Sequence, residues 1–499
     1  MTHTYLYMRN ILLLSSCFFW ALNLFSNEPT FVFANTEGKI PVEKYKDYHY
    51  VSFPMKSKLT AYITLKNEAL ESVEVSPKSK ELKAELIQNT AAIVLYNPGY
   101  YMALINKKYK FFIFAEKPEK PELTNIINVL DLGIDNSGET NVTRKLQQAI
   151  NQSAEEKRTL YFPAGEYKTF PLTIGSNTRI YLDKNAVIKA DISDLNAFQS
   201  NDDLKTKRFI YIKDAENVKI GGTGAIDGNG KALRDKYGED ARMRLMMIFQ
   251  SKNVSVEGLM LKDPGSWNTQ ILCSEDVQFK YVKLLNDIEI SNTDGFDPDA
   301  SQRVLIENCF AYCSDDNVAI KITNYSGYRR NVEDITVRGC VFLTKKSSLK
   351  VGTETRGEWI KNVLFEDNDI IQSDRGMALY VSDGATLENI RYVNNRFEYN
   401  YPDSKRCGIH FYVNKRNRDS KLGEIKDIWI KDCSFETSFP RASEIESSGD
   451  TPKINVTIDN LVIAGKKCNS LEDANIKINN AIVNLTQELA SVNMEEIEK

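Results

Sequence analysis

The chain repeats the stretch Asn253-Val-Ser-Val-Glu257 as Asp276-Val-Gln-Phe-Lys280 and again as Arg303-Val-Leu-Ile-Glu307. Each copy is a short strand with alternating apolar residues, followed by a turn and a second short strand. A unit of this size cannot bury its apolar face alone, so the units must stack on one another. The pattern therefore predicts an all-β solenoid, a parallel β-helix. Its copies are spaced 23 to 38 residues apart and start at Asn217, Asn253, Asp276, Arg303, Asp334, Asn362, Asn389, Asp427 and Asn455.

A second position of the repeat supports this stacking. We expect the residues six positions after the start of each later copy to form one vertical ladder inside the coils. In this ladder the cysteines are small buried apolar residues, and Asn368 and Asn395 form a stacked amide pair. The ladder consists of Leu259, Val282, Cys309, Cys340, Asn368, Asn395, Cys433 and Leu461. A disulfide framework is disfavoured, because seven cysteines, an odd number, remain after Cys17.

The N-terminus has the features of an export signal. Arg9 precedes an apolar run, Ile11 to Phe25, that is too short for a comfortable membrane span. We therefore predict a signal peptide over residues 1–34, export to the periplasm or the cell exterior, and no transmembrane span; cleavage after Ser26 and cleavage after Ala34 both stay open. Leu14-Ser-Ser-Cys17 also resembles a lipoprotein box, so attachment to the cell surface through Cys17 stays open.

The rest of the chain is expected to form two domains and a tail. Residues 35–118 contain four strand-like runs and are predicted to form a small β-sandwich-like domain. Residues 119–480 are predicted to form the β-helix, beginning with a capping helix over Thr140 to Ser153. Residues 481–499 are predicted to be a C-terminal tail or helix.

The charge balance of the chain argues against nucleic acid as a partner. The net charge is -4, with 64 Lys and Arg residues against 68 Asp and Glu, so the chain lacks the basic excess of nucleic-acid-binding proteins. No His or Cys grouping has metal-ligand spacing, and neither a metal nor another cofactor is predicted. The expected partner is a polysaccharide, and the oligomeric state does not follow from the sequence.

Candidate catalytic residues occur in two consecutive coils. Asp294 lies 21 residues, about one coil, before Asp315, and Asp316 follows directly. Neighbouring coils lie ~4.8 Å apart, so the three carboxylates could converge. Like charges that close separate their pKa values, which is what the acid and base of glycoside hydrolysis require. Adjacent residues of an ideal strand point to opposite faces, so Asp315 and Asp316 both reach the cleft only if the chain bends there. We expect Asp297 and Asp299 to be supporting or solvated.

These stretches resemble the signatures of glycoside hydrolase family 28, the polygalacturonase-like right-handed parallel β-helix enzymes. The resemblance covers about Ile127 to Ile463 and rests on Asn292-Thr-Asp-Gly and on Ser314-Asp-Asp-Asn followed by Val318-Ala-Ile-Lys. It implies that Asp315 is the general acid and that Asp294 and Asp316 hold and deprotonate the attacking water. The implied reaction is an inverting hydrolysis of α-glycosidic bonds in a pectic or other plant or algal glycan. Asn292 is expected to orient a neighbour by hydrogen bonding.

Two family signatures are altered. A Gly-His-Gly motif should fall at Lys346-Ser347-Ser348, and an Arg-X-Lys motif should fall near Met377 to Tyr380. Since Arg-X-Lys grips the substrate carboxylate in the family, its loss leaves modified pectin, a neutral α-linked glycan and a sulfated glycan open as substrates. The candidate substrate-binding residues are Asn292, Lys321, Lys350, Arg375, Tyr380, His410 and Trp267.

Two other functions stay open. A Ca²⁺-dependent β-helix polysaccharide lyase would use the carboxylates for the ion and Lys321 or Lys350 as its base. A catalytically inactive β-helix would bind a glycan without cleaving it. Dependence on Ca²⁺ identifies the lyase, and loss of cleavage without loss of binding in an Asp315→Asn variant distinguishes an enzyme from a binding protein.

Overall fold

The computed structural model describes residues 29–117, 123–199, 202, 204–324, 327–328, 330–400, 407–439 and 441–486. The chain divides into two compact units after residue 120. Most of the predicted signal peptide, including Cys17, lies outside the described residues, as does the predicted C-terminal helix beyond residue 486. Within the described part, no helix is both long enough and apolar enough to span a bilayer.

The first unit is a β-sandwich of two five-stranded sheets. Alternate residues of facing strands, such as Phe33 and Ile63 against Phe53 and Phe111, form its buried core. One sheet contains Thr30–Asn35, Gly38–Ile40, Leu59–Lys66, Ala84–Ile87 and Thr90–Leu95. The other contains Glu43–Tyr45, Tyr48–Pro54, Val73–Ser76, Gly99–Ile105 and Tyr109–Glu116, and a 3₁₀ turn covers Lys78–Lys80. A β-sandwich-like N-terminal domain is thus confirmed.

The boundary predicted after residue 34 is wrong in one respect. It falls inside the strand Thr30–Asn35, which pairs with Leu59–Lys66 along its whole length. Phe31 and Phe33 of this strand contribute to the sandwich core. The sandwich therefore begins before residue 35, inside the range predicted for the signal peptide.

The second unit is a right-handed parallel β-helix with three sheets around one continuous core. The first sheet contains Ile126–Asn128, Thr159–Phe162, Arg179–Leu182, Glu216–Gly222, Lys252–Glu257, Glu275–Lys280, Gln302–Glu307, Val332–Arg338, Trp359–Glu366, Thr386–Val393, Glu424–Lys431, Ile454–Asp459 and Ile482–Thr486. The second contains Gly165–Thr169, Ala186–Ala190, Ala225–Asp227, Met260–Lys262, Lys283–Leu285, Phe310–Cys313, Val341–Thr344, Asp369–Ser373, Arg396–Asn400, Ser434–Phe435, Val462–Ile463 and Lys466–Lys467. The third contains Leu172–Ile174, Lys207–Lys213, Met243–Phe249, Thr269–Leu272, Phe296–Asp299, Val318–Ile322, Ser347–Thr355, Arg375–Val381, Ile409–Val413, Ser443–Ser447 and Ile476–Asn479.

Backbone conformation explains the polar residue that starts each repeat. From Asn217 to Asp427 these starting residues all have φ between 52° and 61°, in the left-handed region where Asn and Asp are enriched. Their side chains also bond between coils, since the Asn253 amide donates to Asn217 Oδ1 at 2.7 Å and the Asn362 amide to Asp334 Oδ1 at 3.0 Å. Each of these copies of the sequence repeat therefore begins with the same left-handed turn, and the turns stack from coil to coil.

The internal ladder is confirmed. The backbone N–H of Cys309 donates to Cys340 Sγ at 3.4 Å, and the Asn368 amide donates to Asn395 Oδ1 at 2.9 Å. All four residues are fully buried. The cysteines of the described chain are free thiols, as the small-residue interpretation requires.

Helices are few in the second unit. Thr143–Glu155 forms the helix expected at its start and buries Leu146, Ala149 and Ile150. Other helical segments of the described part are Gly230–Tyr237 and the 3₁₀ turns Val129–Leu132, Leu195–Phe198 and Gly238–Ala241. At the C-terminal end, Ile482–Thr486 pairs with Ile454–Asp459 as a further parallel strand. The predicted end of the β-helix at residue 480 is therefore too early.

Candidate active site

The acidic residues lie where the chain passes from the second sheet to the third. Asp294 lies two residues before the start of the strand Phe296–Asp299, and Asp315 and Asp316 precede Val318–Ile322 one coil later. Neither Asp315 nor Asp316 belongs to a strand, because the chain bends between Cys313 and Val318. The bend brings both carboxylates to the same side, and one oxygen of each of the three lies within 4.8 Å of the others. The structure thus brings together the residues that the one-coil spacing predicts to converge.

Backbone hydrogen bonds between coils fix this arrangement. Gly295 N–H donates to Asp316 O at 2.8 Å, and Asn317 N–H donates to Ser347 O at 3.0 Å. A Cβ on Gly295 would lie 2.4 Å from Asn317 O, so only glycine allows the two coils to approach this closely. The buried Asn286 amide, a residue that the sequence did not single out, donates to the carbonyl of Thr293 at 2.8 Å.

Asp294 belongs to a buried charge cluster. The ammonium of Lys321 lies 3.5 Å from Asp294 Oδ2 and 2.7 Å from Asp297 Oδ1, and all three side chains are almost fully buried. Burial and the nearby Asp297 raise the pKa of Asp294 well above its usual value, against the effect of Lys321. Burial likewise raises the pKa of Asp297 to about 6, although Lys321 lowers it. Asp297 is therefore a buried partner of Lys321 and not a solvated residue.

Asp316 has the opposite electrostatic setting. Lys350 Nζ lies 2.6 Å from its Oδ2, and the backbone N–H of Ser347 donates to its Oδ1 at 2.9 Å. Burial acts to raise the pKa of Asp316, but Lys350 and Arg375 outweigh it, and the net pKa falls below the usual value. Asp316 is thus stabilised as a carboxylate.

Asp315 differs from both. It is half-buried, and burial together with the neighbouring Asp316 raises its pKa, while Lys350 lowers it to a smaller extent. The Asn292 amide is 3.5 Å from Asp315 Oδ2, which makes it a weak orienting contact in this conformation. The pKa values of these two adjacent carboxyl groups are therefore shifted in opposite directions.

The third sheet carries most of the remaining candidates on its outward face. Lys350 lies in register between Ala319 and Ala378, and Ala378 is next to His410. Tyr380 OH is 2.7 Å from His410 Nδ1, and its ring stacks on Tyr412 at 4.2 Å.

Arg375 starts the strand that pairs with Ser347, one coil beyond Ser347 and two coils beyond Asp316. Its guanidinium lies 5.9 Å from the centroid of the Tyr380 ring. Ser347, at the position of the altered Gly-His-Gly motif, is buried, and within the described part its hydroxyl has no hydrogen-bond partner. The backbone of Ser347 thus bonds Asp316 directly, whereas Arg375 lies beside Asp374 at 3.6 Å and acts on Asp316 only through its charge.

Trp267 lies on the other side of the carboxylates. It is half-buried, with Lys321 Nζ 3.9 Å and Arg244 Cζ 4.6 Å from the centroid of its ring. Arg244 also hydrogen-bonds Gln270, whose own amide donates to Asp299 at 2.9 Å. Sequence analysis missed Arg244 and Gln270, because neither stands in a motif and only the register between coils brings them here.

Among the described residues, two groups of side chains have the separations that would suit a bound cation. They are the three catalytic candidates, and His410 with Glu444 and Glu446. In the first group, the ammonium groups of Lys321 and Lys350 already lie beside Asp294 and Asp316 and balance their charge. In the second, His410 is already bonded to Tyr380 through Nδ1.

Comparison with known proteins identifies the family of the chain. Residues 157–484, which include every candidate above, match the model of "Glycosyl hydrolases family 28". The chain belongs to this family. It is a glycoside hydrolase, an enzyme class that acts on O-glycosyl bonds, and the resemblance inferred from the two acidic motifs is confirmed.

Individual relatives and a solved structure also resemble this chain. A Vitis vinifera protein named "Probable polygalacturonase" is 25% identical, over 53% of this chain and 61% of its own length. An endo-polygalacturonase of Pectobacterium parmentieri is 24% identical, over 67% of this chain and 87% of its own. The structure of an exopolygalacturonase from Thermotoga maritima superposes with a TM-score of 0.60 at 21% identity, covering 74% of this chain and 93% of that one. The last comparison shows a shared fold.

Proposed function

We propose that this family 28 protein hydrolyses α-glycosidic bonds in a pectic glycan or a related plant or algal polysaccharide, with inversion at the anomeric carbon. The observation that carries the proposal is the pair Asp315 and Asp316, adjacent carboxyl groups whose pKa values move in opposite directions. Such a pair supplies an acid and a base at the same pH. The named polygalacturonases among the relatives support a pectic substrate.

In the proposed mechanism, Asp315 gives its proton to the oxygen of the leaving sugar. Asp294 and Asp316 hold the attacking water between them, and Asp316, as the ionised partner, takes its proton. Asp294 Oδ1 makes no hydrogen bond within the described residues, so it is available to accept one from this water. Lys321 and Lys350 offset the negative charge of the ionised carboxylates in the cluster.

The stereochemistry needs its own test. Inverting enzymes usually separate their carboxyl groups by ~6.5–9.5 Å, whereas oxygens here approach within 4.8 Å. Inversion is proposed because two carboxylates share one water and neither acts as the nucleophile. Proton NMR of the first product shows which anomer forms, and initial formation of the retained anomer would overturn this part of the mechanism.

The decisive experiment is a product assay on pectic, neutral α-linked and sulfated polysaccharides, with wild type and Asp315→Asn, with and without EDTA. Hydrolysis predicts new reducing ends that survive EDTA and are lost in the variant. Unsaturated uronate products that EDTA abolishes would instead establish a lyase. Binding without products from either protein would establish a glycan-binding protein.

We also propose that the protein is exported, because polysaccharides of this kind occur outside the cytoplasm. Support comes from Arg9 and the apolar run Ile11 to Phe25. Cell fractionation with mass determination of the mature protein tests it. A mature N-terminus between Ser26 and Thr30 is expected, and an N-terminus at Cys17 carrying lipid would establish surface attachment instead.

A further inference from the structure

Lys350 belongs to neither of the acidic signatures, yet it makes the shortest ion pair among the three carboxylates. Its Nζ lies 2.6 Å from Asp316 Oδ2, and the two side chains are 13% and 3% exposed. We propose that Lys350 is a positioning residue that holds Asp316 in place as an anion, and that it is not a contact for the substrate. This inference rests on the proposed role of Asp316 as the base.

Local structure explains how Lys350 reaches Asp316. Lys350 lies in the strand Ser347–Thr355 and points to the outward face, where its neighbours in register are Ala319 and Ala378. Their small side chains leave room for the lysine to extend along the sheet. Its ammonium lies 5.5 Å from the centroid of the Tyr380 ring, which borders it on the far side.

Both oxygens of Asp316 are engaged by the same strand. Oδ1 accepts from the backbone N–H of Ser347 at 2.9 Å, and Oδ2 accepts from Lys350 at 2.6 Å. This two-point hold fixes the orientation of the carboxylate. Ser347 and Lys350 thus act together: the backbone of one and the side chain of the other set the position of the base.

Among the described residues, Lys350 is the cation that pairs with Asp316, since Arg375 Nε lies beside Asp374 Oδ2 at 3.6 Å. Arg375 and Lys321 face it as cations, and Asp315 and Asp294 are the nearby carboxylates. Lys321 is already paired with Asp297 at 2.7 Å. Without Lys350, Asp316 would stay buried beside two carboxylates with only Arg375 as a strong counter-charge, so we expect it to take up a proton at higher pH.

The first test compares Lys350→Met with wild type in kcat/KM on polygalacturonate or the best substrate, from pH 3 to pH 8. We expect the acid limb of the kcat/KM profile to move to higher pH by about one unit or more. At each pH on this limb, the variant should then have about one-tenth of the wild-type activity or less. KM should change little, and Lys350→Arg should return the limb toward wild type. Lys361→Met is the control variant. It removes the ion pair between Lys361 and Glu333 (3.2 Å) on the first sheet, and it should leave the pH profile unchanged.

Two outcomes would overturn the inference. A raised KM with an unmoved acid limb would make Lys350 a substrate contact. An equal fall in activity at every pH would make its role purely structural.

A second measurement does not depend on activity. Thermal unfolding is compared at pH 7 for wild type, Lys350→Met, Asp316→Asn and the double variant. We expect Lys350→Met to lower Tm when Asp316 is present and not when asparagine replaces it. If this coupling is found in a protein that cleaves no glycan, the ion pair stands and the proposed function fails. Cleavage without coupling would leave the function and refute this inference.

Discussion

Replacing Lys321 by methionine tests the buried charge cluster beside Asp294. Lys321 is 3% exposed and lies 2.7 Å from Asp297 and 3.5 Å from Asp294. Removing one partner of a buried ion pair costs ~3–5 kcal/mol, because the remaining charge is left without compensation. Two carboxylates lose their shared cation here, so we expect the upper part of this range at alkaline pH. The corresponding fall in Tm is on the order of 5–10 °C for a unit of this size.

The loss should depend on pH in a direction that the cluster determines. Because burial raises the pKa of Asp297 to about 6, its protonated form is favoured in the folded state. The stability it contributes is present at low pH and is lost as the pH rises through about 6. Without Lys321 the pKa values of Asp297 and Asp294 rise further, so the variant should differ little from wild type near pH 4.5 and strongly at pH 8.

Thermal unfolding at the two pH values is the assay. Asp297→Asn added to Lys321→Met should restore part of the stability at pH 8, since one buried charge disappears. The matched control is Lys361→Met, whose ion pair with Glu333 is about one-third exposed and is worth ~1 kcal/mol or less. An equal loss for Lys321→Met at pH 4.5 and pH 8 would refute the reasoning, because an apolar packing defect does not titrate.

Three further predictions follow from the packing of the coils and the cleft. Gly295→Ala should lower both Tm and kcat, because its Cβ would lie 2.4 Å from Asn317 O; normal activity would show that the two coils can separate. Asn368→Ala should cost ~1–3 kcal/mol in urea unfolding, since the N–H of Cys340 loses its acceptor, and an unchanged midpoint would contradict the amide ladder. Trp267→Ala should raise KM for polysaccharide more than it lowers kcat; an unchanged KM would limit the indole to packing on Lys321.

The sequence was sufficient for the fold because the repeat is local. Each copy encodes its own left-handed starting residue, alternating strand and buried ladder position, as the φ of 53° at Asn253 and the buried Cys309 illustrate. Residue spacing also placed Asp294 one coil before Asp315. The start of the sandwich was harder to predict, because Phe31 and Phe33 follow the N-terminal apolar segment closely and read as part of it, although they belong to the sandwich core.

Side-chain pairing within the site could not be predicted in the same way. Coils differ in length, so the register that puts Lys350 beside Ala319 and Ala378 is visible only in three dimensions. As a strand lysine, Lys350 would ordinarily be a solvated outer residue, and its contact with Asp316 has no local signature. Arg244 was missed for the same reason.

The assignment of acid and base is tested most directly by leaving-group dependence. The values of kcat for Asp315→Asn and Asp316→Asn are compared on the polysaccharide and on an aryl glycoside with a good leaving group. Acid catalysis contributes ~10²–10⁴-fold, and a good leaving group does not need it. The account predicts that Asp315→Asn loses activity on the polysaccharide and keeps most of it on the aryl glycoside, whereas Asp316→Asn loses both. Equal losses for Asp315→Asn on both substrates would contradict its role as the acid.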